Sequence, residues 1–153
     1  MIARSSGIQL EELAQHAFQL ITRMTLGLPR SRRRNPGGLK EMEFLALAIL
    51  QQNEPMIVGD IQRILGILPA QMSRIIRSLE GRSTPLVSCQ INPRDKRKVD
   101  VHLTPAGEEV LGGYIAPRVQ AISDLLAQLS EEERDSLAHI LDRLHSLNEQ
   151  SAE

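Results

Sequence analysis

Hydrophobic positions along the chain recur mostly at helical spacing, and one stretch in the middle changes to strand spacing. Apolar residues three and four apart mark the buried stripe of an amphipathic helix, whereas strict alternation marks a half-buried strand. The helical stretches are predicted over residues 6–28, 39–52, 58–65 and 69–80, and again from 104 to about 129 and from 130 to about 149.

The third and fourth of these helices lie very close together in the sequence. Gly66 is placed to end the third helix, and the fourth begins only a few residues later, at Pro69 or Ala70. Two short helices joined by a tight turn that contains glycine are typical of a helix-turn-helix motif. The alternation over residues 99–103 then predicts one strand of a β-hairpin, whose other strand holds Leu86, Val87 and Ile91 and whose tip is highly charged.

The last third of the chain predicts two longer helices. Thr104 as N-cap and Pro105 at the first helical position open one of them, and Pro117 predicts a kink or break inside it. Ser130 and Glu133 form a capping box that opens the other. The apolar stripes of these helices and of the first helix have no obvious partner in the central segment, so we expect them to pack together and against a second copy of the chain. The leucines expected in this dimer contact are Leu10, Leu13, Leu137, Leu141 and Leu144.

These elements predict a mainly α fold with a small β-hairpin, that is, a winged helix-turn-helix lobe over residues 39–104 and a helical dimerisation lobe over residues 6–28 and 105–149. The composition agrees, because 41% of the 153 residues are hydrophobic but only 2% are aromatic, which suits helices packed on helices. Cys89 is the only cysteine, and no apolar run is long enough to span a membrane. We therefore expect a cytoplasmic protein without a disulfide, in which residues 1–153 form a single winged-helix chain.

Charge is distributed unevenly along the chain. The net charge is −1, yet residues 63–98 contain eight basic and two acidic residues, and residues 99–153 contain eleven acidic and three basic ones. A basic central segment beside an acidic tail predicts that one lobe faces a polyanion.

The fourth helix is the candidate recognition helix. Its apolar face points to the core, which leaves polar residues outward, and arginine and glutamine can read guanine and adenine edges in the major groove. The outward residues are Gln71, Ser73, Arg74, Arg77 and Ser78, with Ala70 beside them. Taken alone, the same pattern also fits a solvated helix face.

The hairpin tip is the second candidate DNA contact. Basic side chains in such a loop can follow the phosphate backbone into the minor groove. The tip residues are Arg94, Asp95, Lys96, Arg97 and Lys98. Asp95 is close enough in sequence to hold the guanidinium of Arg97 by a charge-assisted hydrogen bond. The alternative is a winged-helix module that binds an acidic protein, but such a module would be expected to expose apolar anchors on this face.

One motif spans the tip and the start of the next helix. Asp95, Arg97, Val101, Leu103, Thr104 and Gly107 stand as D-x-R-x-x-x-V-x-L-T-x-x-G. With Ser73, Arg74, Leu79 and Glu80 before it, the sequence resembles the multiple antibiotic resistance regulator (MarR) family of winged-helix transcription factors over almost its whole length. The departures are residues 81–89, which replace a short basic link, and Gln62, which stands where a small residue is usual.

The resemblance implies a sequence-specific regulator, a repressor that binds double-stranded DNA as a homodimer on a pseudo-palindromic operator. It also implies that a small-molecule effector, often aromatic or phenolic, binds between the lobes and releases the DNA. By the same resemblance Arg97 is the wing-tip arginine and Asp95 its partner. The resemblance does not identify the effector residues, the operator or the sign of regulation.

The remaining residues do not indicate catalysis or a cofactor. No nucleophile is paired with a base, and the four histidines lack a metal-ligand spacing. Cys89 is interpreted as a plain half-buried thiol, since only Arg82 could lower its pKa. Arg30 to Arg34 lie in a basic loop that contacts DNA or is merely solvated.

Overall fold

The computed structural model describes residues 9–27 and 38–150, and the chain divides into two compact units, residues 1–31 and 32–153. In the first unit, helix α1 runs Leu10–Gly27, with Glu11 and Glu12 in its first turn, where acidic side chains complement the helix dipole. The predicted start of the first helix at residue 6 and the basic loop from Arg30 to Arg34 lie outside the described residues.

The second unit contains five helices and three short strands among the described residues. The helices are α2 Glu41–Asn53, α3 Val58–Leu65, α4 Pro69–Glu80, α5 Pro105–Leu126 and α6 Glu131–Gln150. The strands are β1 Met56–Ile57, β2 Val87–Ile91 and β3 Val99–Leu103. The predicted helix-turn-helix motif is therefore α3 and α4, and the predicted hairpin is β2 and β3.

The strands form one antiparallel sheet in the order β1-β3-β2. In the hairpin, Val87 lies opposite Leu103 and Ile91 opposite Val99, so the tip spans residues 92–98. The sequence pattern did not predict β1, because two residues are too short to show a period. Its pairing of Met56 with Val101 fixes the hairpin to the start of α3.

The helix boundaries follow the capping residues. Gly66 ends α3 in the left-handed conformation with φ 63°, and its N–H donates to the carbonyl of Arg63 at 3.2 Å. The Thr104 hydroxyl accepts the N–H of Gly107 at 3.0 Å at the start of α5, and Ser130 and Glu133 cap each other at the start of α6. The capping residues predicted at the end of α3 and at the starts of α5 and α6 are therefore confirmed.

Of the kink or break predicted at Pro117, the break is wrong, because α5 continues through this residue from Pro105 to Leu126. A proline removes the bond to the carbonyl four residues earlier and crowds it. In α5 that earlier residue is Gly113, so the helix continues although this one backbone bond cannot form.

The core lies between α2, the α3–α4 pair, the sheet and the first half of α5. Its fully buried side chains are Leu47, Leu50, Ile61, Met72, Leu79, Val87, Val101 and Leu111. Two apolar residues on the helical stripes of α3 and α2 stay outside this core: Ile64 is 59% exposed and Leu45 is 38% exposed.

Gly107 brings the start of α5 into close contact with the segment that leads to the hairpin. A Cβ at Gly107 would collide with the backbone oxygen of Leu86 and lie 2.8 Å from Cδ1 of Leu103. The Thr104 N–H donates to that same Leu86 oxygen at 3.1 Å, and the Thr104 hydroxyl donates to the carbonyl of Pro85 at 2.7 Å. The first turn of α5 therefore fixes the base of the hairpin.

Candidate nucleic-acid interface

The outward face of α4 carries the predicted recognition residues. Gln71, Ser73, Arg74 and Arg77 are exposed, while Met72, Ile76 and Leu79 are buried behind them. The side-chain oxygen of Gln71 accepts the N–H of Leu68 at 3.1 Å and so caps the helix. Two-bond pairing of Gln71 with adenine would break this cap, which leaves the two arginines as the stronger base-reading groups.

The two arginines of α4 differ in whether a hydrogen bond to the protein holds the side chain. Arg77 Nε donates to the carbonyl of Ser73 at 3.2 Å, which aligns the side chain along the helix and leaves its two terminal nitrogens outward. Arg74 has no side-chain bond within the part of the chain that the structure describes. Arginine donors arranged in this way can reach the O6 and N7 acceptors of guanine.

Ser78 differs from the other outward residues. Its hydroxyl donates to Oε1 of Glu43 in α2 at 2.6 Å, toward the protein and not toward solvent. The sequence could not show this bond, because the two residues are 35 positions apart. Ser78 therefore joins α4 to α2, and its hydroxyl proton is used in this bond, while its predicted DNA contact stays a prediction.

The tip of the hairpin is a compact turn built around Asn92. Its side-chain oxygen accepts the N–H groups of Arg94 and Asp95, both at 2.9 Å, and its amide donates to Asp100 at 2.9 and 3.0 Å. The backbone N–H of Asn92 donates to the carbonyl of Lys98 at 2.9 Å. These bonds fix the backbone that presents the basic side chains.

Asp95 stabilises the hairpin tip through other bonds than the one predicted to the Arg97 guanidinium. Its Oδ1 accepts the backbone N–H of Arg97 at 3.1 Å, and its Oδ2 lies 4.0 Å from Nζ of Lys98. The expected bond to the guanidinium of Arg97 is not formed, because the two carboxylate oxygens lie instead toward the Arg97 backbone and Lys98. The guanidinium of Arg97 and the exposed side chains of Arg94 and Lys96 have no bonding partner among residues 9–27 and 38–150.

A cleft of about 710 Å³ separates the recognition helix from the hairpin. Arg63 and Arg77 line it from α3 and α4, and Arg97 and Lys98 line it from the hairpin. Ser73 of α4 also lines it, so four of the predicted contacts on α4 and the tip meet at one groove. The structure thus brings together residues that are distant in the sequence. Four basic side chains give the groove a cationic border, although Asp60 and Glu80 also line it.

Arg63 is a candidate that the sequence reasoning did not place in the site. Its side chain is 78% exposed and forms a 3.0 Å ion pair with Asp60 one turn earlier in α3. The excess of basic residues over positions 63–98 was the only signal that pointed to it.

Cys89 lies in β2, lines the cleft and is half-buried, as expected. Burial raises the pKa of its thiol, and the nearby carboxylate of Glu80 raises this pKa further. The thiol is therefore protonated at neutral pH and is a weak nucleophile.

The leucines predicted for a dimer contact are mostly uncovered. In α6, Leu141 and Leu144 are 54% and 57% exposed, and Leu137 is half-buried. In α1, Leu10 and Leu13 are 82% and 53% exposed. Within the described residues, no helix is both long and apolar enough to cross a membrane.

Comparison with known proteins places this geometry in a family. The family model described as MarR family matches residues 39–99, which contain α2, the helix-turn-helix motif and the hairpin tip. The regulator YkoM of Bacillus subtilis, named as an uncharacterised HTH-type transcriptional regulator, is 32% identical over 111 residues, which cover 71% of each chain. The chain belongs to the MarR family.

Other members and neighbours extend the comparison. The transcriptional repressor MprA of Escherichia coli is 29% identical over 71% of this chain and 62% of its own length. The matches span 62% to 71% of the length of the curated relatives. A solved structure of MepR from S. aureus bound to an oligodeoxyribonucleotide has the same fold, with a TM-score of 0.60, 22% identity and coverage of 88% of this chain and 97% of its own.

Proposed function

We propose that this MarR family chain is a transcriptional regulator, a repressor that binds a pseudo-palindromic DNA duplex as a homodimer. The observation that carries the proposal is the cleft in which Arg77 of α4 faces Arg97 and Lys98 of the hairpin. A helix with outward arginines beside a basic hairpin is the arrangement that reads a major groove and follows the adjacent backbone. The repressor role is supported by MprA, which is named as a transcriptional repressor. The DNA ligand is supported by the MepR structure, which was solved with an oligodeoxyribonucleotide bound.

The two halves of the interface have different tasks in this proposal. Arg74 and Arg77 contact base edges, because α4 enters the major groove, where each base pair presents a distinct set of donors and acceptors. Arg94, Lys96, Arg97 and Lys98 contact phosphates and the minor groove, where charge and groove width are read. The hairpin tip is suited to this role because bonds inside its own turn hold its backbone.

The homodimer is supported by the exposed apolar faces. The leucines of α6, together with Val119 at 55% and Leu125 at 44% exposure in α5, leave a row of apolar side chains in water. Such rows on consecutive helices mark an interaction surface, and a second copy of the chain can cover them by two-fold symmetry. Two recognition helices related in this way would enter successive major grooves, about 34 Å apart.

A small-molecule effector belongs to the same proposal and is supported by the family resemblance. Release of DNA requires that the effector bind one arrangement of the two recognition helices better than the other. The proposal includes no catalytic role for any residue of the chain.

One observation favours the alternative, a module that binds an acidic protein. Ile64 and Leu68, on either side of the turn before α4, are 59% and 69% exposed and could serve as apolar anchors. The cationic border of the cleft would then meet acidic side chains of the partner.

Selection of duplexes from a random-sequence pool by the purified protein distinguishes the two functions. Enrichment of an inverted repeat at moderate salt supports the DNA-binding regulator. If the protein enriches no duplex from the pool but is retained on an immobilised polyglutamate column, the acidic-protein module is supported instead.

A further inference from the structure

A buried carboxylate lies behind the recognition helix and takes no part in the contacts proposed above. Glu43, in the first turn of α2, is only 2% exposed. Its Oε2 accepts the backbone N–H of Lys40 at 2.9 Å and Nη2 of Arg82 at 3.0 Å, and its Oε1 accepts the hydroxyl of Ser78 at 2.6 Å. One side chain therefore joins three segments of the chain.

Two of these three donors come from the end of the recognition helix. Ser78 directly follows the outward Arg77, and Arg82 comes just after Gly81, the C-cap of α4. The N–H of Gly81 donates to the carbonyl of Arg77 at 2.9 Å, and a Cβ on Gly81 would lie 2.8 Å from that carbonyl oxygen. The bonds to Glu43 thus fix both the rotation and the end point of the turn that carries Arg77.

The third donor and the neighbouring residue fix the carboxylate itself. The bond from the Lys40 N–H holds Glu43 to the N-terminus of α2. Phe44, the next residue, stacks on Tyr114 of α5 with ring centroids 4.4 Å apart, and the guanidinium of Arg118 lies 3.5 Å from the centre of the Tyr114 ring. Glu43 therefore acts from a rigid part of the fold.

Stability alone is a weak reason for this arrangement. A buried ion pair is costly to desolvate, and well-packed apolar residues of similar volume often stabilise a fold equally well. Charge-assisted hydrogen bonds, by contrast, specify a direction and a distance between elements. Arg82 also lies in residues 81–89, the segment in which this chain departs from the usual family pattern.

We propose that Glu43 is a positioning residue for DNA reading, which sets the orientation of Arg77 through Ser78 and Arg82. This proposal rests on the proposed function, because it concerns the accuracy with which α4 meets base edges. A helix turn that is free to rotate would still keep its charge near the phosphates. Sequence preference should therefore be lost more than general affinity for DNA.

The test compares two affinities of the full-length protein, one for a duplex selected by the wild type from a random pool and one for a scrambled duplex of the same composition. The variants are Glu43→Gln, Ser78→Ala and Arg82→Lys, and the matched controls are Glu41→Gln and Ser83→Ala, which change exposed neighbours with no side-chain bond in the described structure. We expect the ratio of selected to scrambled affinity to fall about tenfold for Glu43→Gln and by less for Ser78→Ala. The ratio should change little for Arg82→Lys, because lysine keeps the positive charge beside Glu43.

The outcomes separate the two proposals. A wild type that enriches no duplex overturns the proposed function, and this inference with it. A wild type that enriches a duplex, with Glu43→Gln and Ser78→Ala lowering the melting temperature while the ratio stays unchanged, overturns this inference alone. If Glu43→Gln does not fold, the ratio for Ser78→Ala decides, because Ser78 is exposed and its loss removes only one bond.

Discussion

Arg77 and Arg97 line the same cleft, although one belongs to the recognition helix and the other to the tip of the hairpin. Arg77 is aligned by a bond to its own helix, whereas the Arg97 side chain extends from a turn held by Asn92 and Asp95. The two residues should therefore respond differently to substitution. One should affect which sequence is bound, and the other how strongly any sequence is bound.

The Arg97→Ala variant should bind all duplexes more weakly, with a further loss at A·T-rich flanks, because the wing reads phosphates and groove width. The slope of log affinity against log salt should fall by about one per lost phosphate contact, hence by about two for a dimer. Fluorescence anisotropy over a salt series measures both quantities. Arg143→Ala, a charge removed from α6, is the control and should leave the slope unchanged. An unchanged slope for Arg97→Ala would mean that the wing does not contact DNA.

Asp95→Ala should produce a weaker form of the same defect. The carboxylate holds the backbone of Arg97 and lies near Lys98, so its loss loosens the turn but leaves every basic side chain in place. Affinity should fall by less than in Arg97→Ala, and the salt slope should stay near that of the wild type. A defect larger than that of Arg97→Ala would indicate that Asp95 has a further role.

Gly107→Ala tests the junction between α5 and the hairpin. The added methyl group would collide with the backbone of Leu86, so we expect a loss of about 1 to 3 kcal/mol in the free energy of unfolding. Gly112→Ala, in the same helix, has open space around its Cβ and should stabilise the protein by about 0.5 to 1 kcal/mol. Thermal or urea unfolding measures both variants. Equal effects of the two variants would show that the backbone at Leu86 shifts enough to accommodate the added methyl group.

Much of this junction could be predicted from the sequence, because Thr104 and Pro105 are local signals for a helix start. The close contact of Gly107 with Leu86 could not, since it depends on how α5 crosses the segment before β2. The same limit explains β1 and the bond from Ser78 to Glu43, both of which join residues far apart in the chain. Local periodicity predicts which face of a helix is apolar, but not which polar residue on that face has a partner from another element.

The Leu141→Glu and Leu144→Glu variants test the dimer. Each places a charge in the apolar row of α6, which would cost several kcal/mol at a buried interface. His139→Glu adds a charge on the other side of the same helix and should have little effect. Sedimentation velocity should show a dimer for the wild type and His139→Glu, and monomers for the two leucine variants. A stable dimer in all four proteins would show that the apolar row of α6 is not part of the dimer interface.

The thiol of Cys89 should react slowly with iodoacetamide at neutral pH. Burial and Glu80 raise the pKa of this thiol, so the reactive thiolate forms only at a pH above the ordinary value for cysteine. Glu80→Gln removes the carboxylate charge, which should lower the pKa and speed alkylation. Because the chain has one cysteine, mass spectrometry follows this reaction directly. Faster alkylation of the folded wild type than of the urea-unfolded protein would contradict the raised pKa.

The most direct test of the central claim is to repeat the random-pool selection with Arg77→Ala. The wild type should enrich an inverted repeat whose half-sites are centred about one helical turn apart, or a multiple of it. Arg77→Ala should enrich the same repeat with the preference relaxed at particular base pairs in each half-site, and its affinity for the wild-type duplex should fall by about 1 to 3 kcal/mol. An identical motif for both proteins, or no motif for the wild type, would contradict base reading by α4.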